Sequence, residues 1–288
     1  MLTVLLDGVA SGMLLFVLAC GLSVTLGLMN FVNLAHGAFG MAGGYVCVVL
    51  LNRYGVPFLA CLVAAALFAA LLGAVLERTL YRWLYGRDHL DQVLFSIGLV
   101  FMASAVVDWL MGARQQLITL PGWLQGRIEI GGGLATIGVY RLFLIALCGA
   151  IVLALHLGLV RTRFGSRLRA AVDDAVVARG LGIPVDRIFA VTFAVGSGLA
   201  GLGGALGVEV LGLDPTFPLK YLVYFLIVVA VGGANTILGP FLAALLLGVV
   251  DVAGKYYVPE VGAFVIYTAM VVLLLLRPQG LLARGGAR

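Results

Sequence analysis

Long apolar runs, separated by short polar segments, make up most of this sequence. A transmembrane helix needs about 20 predominantly apolar residues to cross the hydrocarbon core of a bilayer. Nine runs approach or reach that length: 9–28, 31–51, 58–76, 93–111, 142–160, 188–211, 221–231, 238–250 and 262–276. A helix satisfies its own backbone hydrogen bonds, so it is the default spanning element. The pattern therefore predicts an all-α polytopic membrane protein with about eight to ten transmembrane helices in a single transmembrane domain, 1–288.

The apolar pattern breaks between Arg161 and Arg187. Six arginines and three aspartates fall within these 27 residues, which makes the segment too polar to lie in the membrane. Within it, 166–179 is expected to form a short helix. Its apolar side chains recur at helical spacing: Leu168, Val172, Ala175 and Val176.

Local signals suggest where this short helix begins and ends. Ser166 is expected to cap it by accepting a backbone N–H bond. Gly180 and Gly182 are expected to end it, and Pro184 prevents its continuation. At 1.5 Å per residue the helix is about 21 Å long, too short to span a bilayer. Two interpretations stay open: an amphipathic connector resting on lipid head groups, or a lever that docks into a cytoplasmic partner.

Basic residues are concentrated on one side of the predicted membrane. The segments 77–91 and 161–187 and the C-terminal tail together hold 12 of the 18 lysines and arginines. Cytoplasmic loops carry the excess of Lys and Arg, so we expect this side and the C-terminus to be cytoplasmic and the N-terminus to lie on the outer side. The same rule explains the net charge of +5 without nucleic-acid binding. The loop 113–140 lies on the outer side and is expected to form a small hairpin or an irregular cap.

The sequence contains no convincing catalytic, cofactor or metal-binding motif. Its G-x-G-x-x-G match, 196–201, lies inside a predicted membrane helix instead of between a strand and a helix. The P-loop pattern G-x-x-x-x-G-K-[ST] is missing, since Lys255 is followed by Tyr256. No two of the three histidines are spaced as metal ligands, and all four cysteines lie in apolar runs. We expect no enzyme activity, no cofactor and no metal.

Composition agrees with a lipid-facing surface. The chain is 63% hydrophobic and 11% charged, whereas soluble domains carry about a quarter charged residues. Forty glycines are present, many of them inside the predicted spans. Small residues four positions apart let helix backbones approach closely, either within one subunit or between subunits. Three pairs have this spacing: Gly8 and Gly12, Gly40 and Gly44, Gly203 and Gly207.

Polar residues interrupt the apolar pattern in two places. Asn33 and His36 lie between the first two runs, while Gly232, Gly233 and Asn235 lie between the seventh and eighth. Each break is either a tight turn with a capped helix or part of a transport path, because irregular backbone in a membrane is tolerated where protein buries it or a cavity adjoins it. These five residues are our candidates for the translocation path. Four acids near the outer ends of spans are expected to be solvated: Asp108, Glu209, Asp214 and Asp251.

Several short motifs occur along the chain in a specific order. They are 33–37 (NLAHG) with Gly44 and Tyr45, 169–171 (RAA) followed by Asp174 and 181–183 (LGI), Asp186-Arg187, 190–193 (AVTF), Asp214-Pro215, Gly232-Gly233 and 277–282 (RPQGLL). In this order and spacing they resemble the branched-chain amino acid ABC transporter permeases of the LivH type over nearly the whole chain. Two positions depart from the family pattern. Asn235 follows Ala234 where the family often has glycine, and Ala38 stands where an acid often follows the His-Gly pair.

The resemblance implies the permease subunit of an ATP-driven importer for branched-chain or other hydrophobic amino acids in the bacterial inner membrane. The outer side, with the N-terminus and the loop 113–140, would then be periplasmic. The implied partners are a second, LivM-like permease, two cytoplasmic ABC ATPases and a periplasmic solute-binding protein. The segment 166–183 would dock on the ATPase, which favours the lever interpretation. The implied ATPase-coupling residues are Arg167, Arg169, Ala171, Asp173, Asp174, Arg179, Gly180 and Gly182. The alternatives are an importer of the same architecture for urea or short amides, and a stand-alone secondary transporter or channel.

Overall fold

The computed structural model describes residues 1–29, 31–130, 135–233, 238–277 and 280–281. In these residues the chain forms eleven α-helices and a two-stranded sheet. The helices are α1 (Leu2–Met29), α2 (His36–Tyr54), α3 (Phe58–Thr79), α4 (His89–Met111), α5 (Val139–Arg161), α6 (Arg163–Asp173), α7 (Ala175–Gly180), α8 (Val185–Leu211), α9 (Phe217–Gly232), α10 (Leu238–Tyr257) and α11 (Gly262–Leu276). The strands are β1 (Arg127–Ile130) and β2 (Ala135–Gly138), and single 3₁₀ turns lie at Tyr81–Trp83 and Gly122–Leu124.

Each of the nine predicted apolar runs corresponds to one helix. Six of these helices, α1, α3, α4, α5, α8 and α10, are long and apolar enough to cross a membrane, and α9 and α11 are apolar but shorter. The prediction of an all-α polytopic membrane protein is therefore confirmed. The first two runs, which nearly merge in the sequence, are separate helices, since α1 ends at Met29 and α2 begins at His36.

The loop between α4 and α5 contains the predicted hairpin. β1 and β2 are antiparallel, with Arg127 opposite Gly138 and Glu129 opposite Thr136. The same loop is fastened to the bundle, because the Gln116 amide donates to the Leu213 carbonyl oxygen at 2.7 Å. The loop is therefore attached to the end of the bundle at which α8 ends and α9 begins.

The rim of the bundle is apolar. On α3 and α4, six large apolar side chains are more than 60% exposed: Leu67, Leu71, Leu90, Leu94, Met102 and Trp109. Apolar patches of this extent are rare on proteins surrounded by water and mark surfaces that face a membrane or a partner. The exposed side chains of α3 and α4 are thus those expected of helices that face lipid.

The central helix is α8, which packs against α1, α2 and α3. Its closest contacts are made at glycines. A Cβ atom added at Gly204 would collide with the backbone of Gly40 on α2, and one added at Gly196 would lie 3.1 Å from the Gly21 Cα on α1. Lipid tails provide no hydrophobic force between helices, so such backbone contacts are a main source of association.

The three glycine pairs seen in the sequence also serve packing within the chain. Gly8 on α1 lies against Val249 on α10, Gly40 lies against α8, and Gly203 lies against Leu18 on α1. In each pair, at least one glycine is therefore at a helix crossing inside this subunit. This observation favours the intrasubunit interpretation of the spacing.

We expect Gly248→Ala to lower the free energy of unfolding by about 1–3 kcal/mol, the usual cost of overpacking. The added methyl group would meet the backbone of Gly12 and lie 2.7 Å from the Gly8 carbonyl oxygen, which would force α1 and α10 apart. Thermal unfolding of the purified protein in detergent measures the effect.

Gly98→Ala is the matched control for this substitution. Gly98 lies inside α4, and nothing lies within 4 Å of the added methyl group. This variant should be neutral or slightly more stable, because alanine favours helix over glycine. Equal unfolding temperatures for the two variants would contradict the close approach of α1 and α10.

Candidate functional site

The arginine-rich segment forms two helices, α6 and α7, and its first cap differs from the predicted one. Thr162 precedes α6, and its side-chain oxygen accepts a hydrogen bond from the Gly165 amide at 3.2 Å. Ser166 lies inside the helix and donates to the Arg163 carbonyl oxygen at 3.0 Å. The prediction of a Ser166 cap is therefore wrong. The helix starts one turn earlier because Thr162 offers an equivalent oxygen at the end of α5.

Asp174 divides the segment. Its backbone is extended, with φ −152° and ψ 102°, and its Oδ1 accepts hydrogen bonds from the amides of Val176 and Val177 at 2.9 Å each. Asp174 is thus the N-cap of α7, and the predicted single helix over 166–179 is wrong. The physical reason is that an aspartate side chain competes for the amides that a continuous helix would use.

The break at Asp174 changes which apolar residues face inward. Leu168 and Ala171 of α6 are buried, and Ala178 of α7 is buried against Val185 at the start of α8. Val176, which the sequence placed on the inner side, is 77% exposed. Three apolar side chains are therefore presented outward, and we call them the docking face: Val176, Val177 and Leu181, at 77%, 57% and 76% exposure.

Two arginines anchor the segment to neighbouring spans. Arg169 Nη1 donates to the Leu159 carbonyl oxygen at 2.5 Å, which joins α6 to the last turns of α5. Arg179 Nη2 lies 2.8 Å from Asp186 Oδ1, which joins α7 to the first turn of α8. Both members of this ion pair are largely exposed, so its contribution to stability is small and its geometric role matters more.

The other predicted coupling residues lie in the same segment as the docking face. Arg167 and Asp173 are exposed on α6, whereas Ala171 of the same helix is buried. Gly180 is exposed at the end of α7, and Gly182 has φ +80°, a conformation that favours glycine. The structure thus brings the eight predicted coupling residues together in one surface segment, seven of them exposed.

A polar cleft of about 490 Å³ lies beside the docking face, between the end of α3 and the start of α8. Its charged lining residues are Glu77, Arg78, Arg82, Arg179, Asp186 and Arg187. Tyr85 donates its hydroxyl hydrogen to Glu77 Oε1 at 3.0 Å. Burial raises the pKa of Tyr85 above its ordinary value, and the nearby Glu77 carboxylate adds to the effect, so the hydroxyl stays protonated. This bond holds the segment that follows α3 against the last turn of α3.

The first candidate path region is a buried turn between α1 and α2. Asn33 Oδ1 accepts hydrogen bonds from the Tyr81 hydroxyl and the Ala35 amide, both at 3.1 Å, while its Nδ2 is buried without a hydrogen-bond partner among the described residues. His36 Nε2 lies 2.8 Å from the Leu18 carbonyl oxygen, so this nitrogen is the donor. Its ring meets the edge of Phe225. Both side chains are 1% exposed, and in this conformation their hydrogen bonds join neighbouring segments inside the bundle.

The second candidate path region is the end of α9. Gly232 lies against the backbone of Gly239 and Pro240, and Gly233 has φ +81°. The tail returns to this point, since the Leu281 amide donates to the Val231 carbonyl oxygen at 2.9 Å. Asn235, the fifth candidate, lies outside the described residues. Among the described residues, no hydrogen bond joins Asn33 or His36 to Gly232 or Gly233, so the two regions remain separate predictions.

Sequence reasoning missed a polar site at the opposite end of the bundle. Of the four acids expected to be solvated, Asp108 and Glu209 are exposed and Asp214 is half-buried, but Asp251 is only 6% exposed. The expectation for Asp251 is therefore wrong. Residues of α1, α8, α9 and α11 line a cavity of about 330 Å³ together with Asp251 and Lys255. The one signal in the sequence was Lys255, four residues after Asp251 in an apolar helix.

We call this cavity the Asp251 pocket. Asp251 Oδ2 lies 2.6 Å from Lys255 Nζ, and Lys220 Nζ lies 5.3 Å from the centroid of the Tyr221 ring. Its lining residues are Ser11, Leu15, Val210, Leu211, Lys220, Tyr221, Tyr224, Asp251, Lys255 and Tyr267. The pocket therefore combines two ammonium groups, a carboxylate and an apolar and aromatic wall.

Known proteins similar to this chain are membrane permeases. The family model for the branched-chain amino acid transport system / permease component matches residues 4–275. BraD of Pseudomonas aeruginosa, a high-affinity branched-chain amino acid transport system permease protein, is 27% identical, with 97% of this chain and 95% of BraD covered. LivH of Escherichia coli K12, described in the same words, is 26% identical, with 96% and 94% covered.

A second type of permease is also similar. LivM of Escherichia coli K12, likewise a high-affinity branched-chain amino acid transport system permease protein, is 29% identical, with 94% of this chain and 68% of LivM covered. No solved structure gives a significant match to the chain.

We expect Asp174→Ala to loosen α7. The substitution removes the acceptor for two amides, a loss that costs about 1 kcal/mol at a helix N-cap. Hydrogen exchange of the amides of Val176 and Val177 should become about fivefold faster or more. Asp174→Asn keeps a side-chain oxygen and should preserve most of the protection, and equal protection in the alanine variant would contradict the cap.

Proposed function

Because the chain belongs to the family of branched-chain amino acid transport system permease components, we propose that it is the membrane-spanning subunit of an ATP-driven importer for branched-chain or other hydrophobic amino acids. The observation that carries this proposal is the family match over residues 4–275, nearly the whole chain. Six helices long enough to cross a membrane, with an apolar rim, support the same conclusion.

The proposed assembly contains at least three other kinds of subunit. LivH and LivM are both similar to this chain and both occur in Escherichia coli K12, which supports pairing with a second, LivM-like permease. The chain has no P-loop, so ATP hydrolysis is assigned to two partner ATPases. A periplasmic solute-binding protein would deliver the amino acid and set most of the selectivity, because a solute bound tightly in the path would not leave.

The arginine-rich end of the bundle is assigned to the cytoplasm. The docking face lies in the segment 161–187, which carries six of the chain's arginines. By the positive-inside rule this side faces the cytoplasm, so the C-terminus is inside and the N-terminus is in the periplasm of a bacterial inner membrane. An ATPase approaching from the cytoplasm would meet Val176, Val177 and Leu181 first.

The proposed mechanism uses α7 as the contact that the ATPases move. Arg179 and Ala178 connect α7 to the start of α8, and Arg169 connects α6 to α5. Since α8 packs against α1, α2 and α3, a displacement of its first turn moves the central spans together. Alternating access would follow from rocking of these spans against the second permease, with Asn33, His36, Gly232, Gly233 and Asn235 near the path.

We expect Val177→Asp to reduce association with the ATPases at least tenfold, which corresponds to about 1.4 kcal/mol. A charged side chain in the centre of an apolar contact remains unpaired and desolvated when the partner binds. The test is co-purification of the permease with candidate partner ATPases, followed by ATP hydrolysis stimulated by the amino acid and its binding protein.

Ile128→Asp is the control, because Ile128 is 45% exposed in the hairpin at the other end of the bundle. It should leave co-purification with the ATPases unchanged. If Val177→Asp binds the ATPases and couples hydrolysis to uptake as well as the unsubstituted protein does, the assignment of the docking face is wrong.

A further inference from the structure

A buried carboxylate with one unused oxygen lies in the Asp251 pocket. Asp251 is 6% exposed, and its Oδ2 pairs with Lys255. Its Oδ1 is buried and has no hydrogen-bond partner among the described residues. A buried polar atom without a partner is costly, so such atoms are rare in native structures and call for an explanation. An ion pair within α10 accounts for only one of the two oxygens.

The groups around Asp251 complement both charges of an amino acid. A free ammonium group would find an acceptor in Asp251 Oδ1. Lys220 makes no ion pair among the described residues and is exposed at the pocket, where it can attract a carboxylate. A ligand held between Asp251 and Lys220 would therefore carry both a positive and a negative group.

The rest of the wall suits an aliphatic side chain. Leu15 and Leu211 line one part of the pocket, and the rings of Tyr221, Tyr224 and Tyr267 form another, with neighbouring centroids 5.9 and 6.3 Å apart. Tyr221 is fixed by donating its hydroxyl hydrogen to the Leu211 carbonyl oxygen at 3.0 Å. The volume of the Asp251 pocket, about 330 Å³, is at the small end of the range for ligand pockets, which is about 300 to 1,000 Å³.

We infer that the Asp251 pocket is a binding site for a zwitterionic amino acid with an aliphatic side chain. Asp251 receives the ammonium group, Lys220 receives the carboxylate, and the leucine and tyrosine side chains surround the aliphatic part. The pocket lies at the end of α8 opposite the docking face, on the side that the arginine distribution assigns to the periplasm. The site is therefore where solute released by the binding protein first engages this subunit.

This inference rests on the proposed function, and the experiment separates the two. The complete transporter, with its second permease and ATPases, is placed in nanodiscs and irradiated with photo-leucine, the diazirine analogue of leucine. We expect labelling that excess leucine suppresses, on peptides that contain Leu211, Tyr224 or Tyr267. Leucine-sensitive labelling only on peptides away from the pocket, or no such labelling, overturns the inference. The proposed function fails separately, if proteoliposomes of the same complex show no ATP-driven leucine uptake.

Two substitutions test the assigned contacts. Asp251→Asn removes the charge that faces the ammonium group and should reduce photo-leucine labelling at least tenfold. Lys220→Gln acts on an exposed residue, so it should leave folding intact while reducing labelling about fivefold or more. Glu260→Gln is the control, because Glu260 is an exposed acid close to α10 that does not line the pocket. Unchanged labelling in both Asp251→Asn and Lys220→Gln overturns the inference.

A ligand without an ammonium group distinguishes binding from a structural role of the ion pair. The diazirine analogue of a short carboxylic acid lacks the group that Asp251 is proposed to receive. In the unsubstituted transporter photo-leucine should label the pocket at least tenfold more than this analogue, and in Asp251→Asn the ratio should fall towards one. A ratio that stays at the unsubstituted value contradicts the assigned contact, since a purely structural effect would lower both labels alike.

Discussion

Close backbone contact along α8 is the constraint on which the rest of this structure depends. In a bilayer the surrounding lipid is as apolar as the helices, so helices associate through packing at short range. Gly196 and Gly204 permit α8 to touch α1 and α2 directly, and Gly248 does the same where α10 crosses α1. Bulkier side chains at these crossings would separate the spans. The central helices are therefore held as one block, while α3 and α4 present apolar side chains at the rim.

The same helix connects the two polar ends of the molecule. At 1.5 Å per residue, the 27 residues of α8 extend over about 40 Å. Its first turn carries Asp186, the ion-pair partner of Arg179, and its last residues, Val210 and Leu211, line the Asp251 pocket. A rigid helix between these places gives a physical route by which a push at the docking face reaches a site near the opposite surface. The buried bonds of Asn33 and His36 fasten α1, α2 and the turn after α3 to this block.

Much of the fold could be predicted from the sequence, because a membrane-spanning helix shows itself as a continuous apolar run of neighbouring residues. All nine apolar runs became helices, and the turn signals in 113–140 led to the hairpin. The arginine-rich segment could be located but not folded correctly. Periodicity treats 166–179 as continuous, whereas the Asp174 cap restarts the helix and turns Val176 outward. The burial of Asp251 was not predictable, because the pocket around it is lined by four other helices, α1, α8, α9 and α11, whose packing is not visible in local hydropathy.

The central claim is that this subunit does not move solute by itself and that ATPases bound to the docking face drive its conformational change. The most direct test measures radiolabelled leucine accumulation in proteoliposomes, comparing the chain alone with the complete assembly of both permeases, two ATPases and the binding protein. The account predicts accumulation only in the complete assembly and only with ATP. Accumulation or rapid leucine flux through liposomes that contain this chain alone would contradict it.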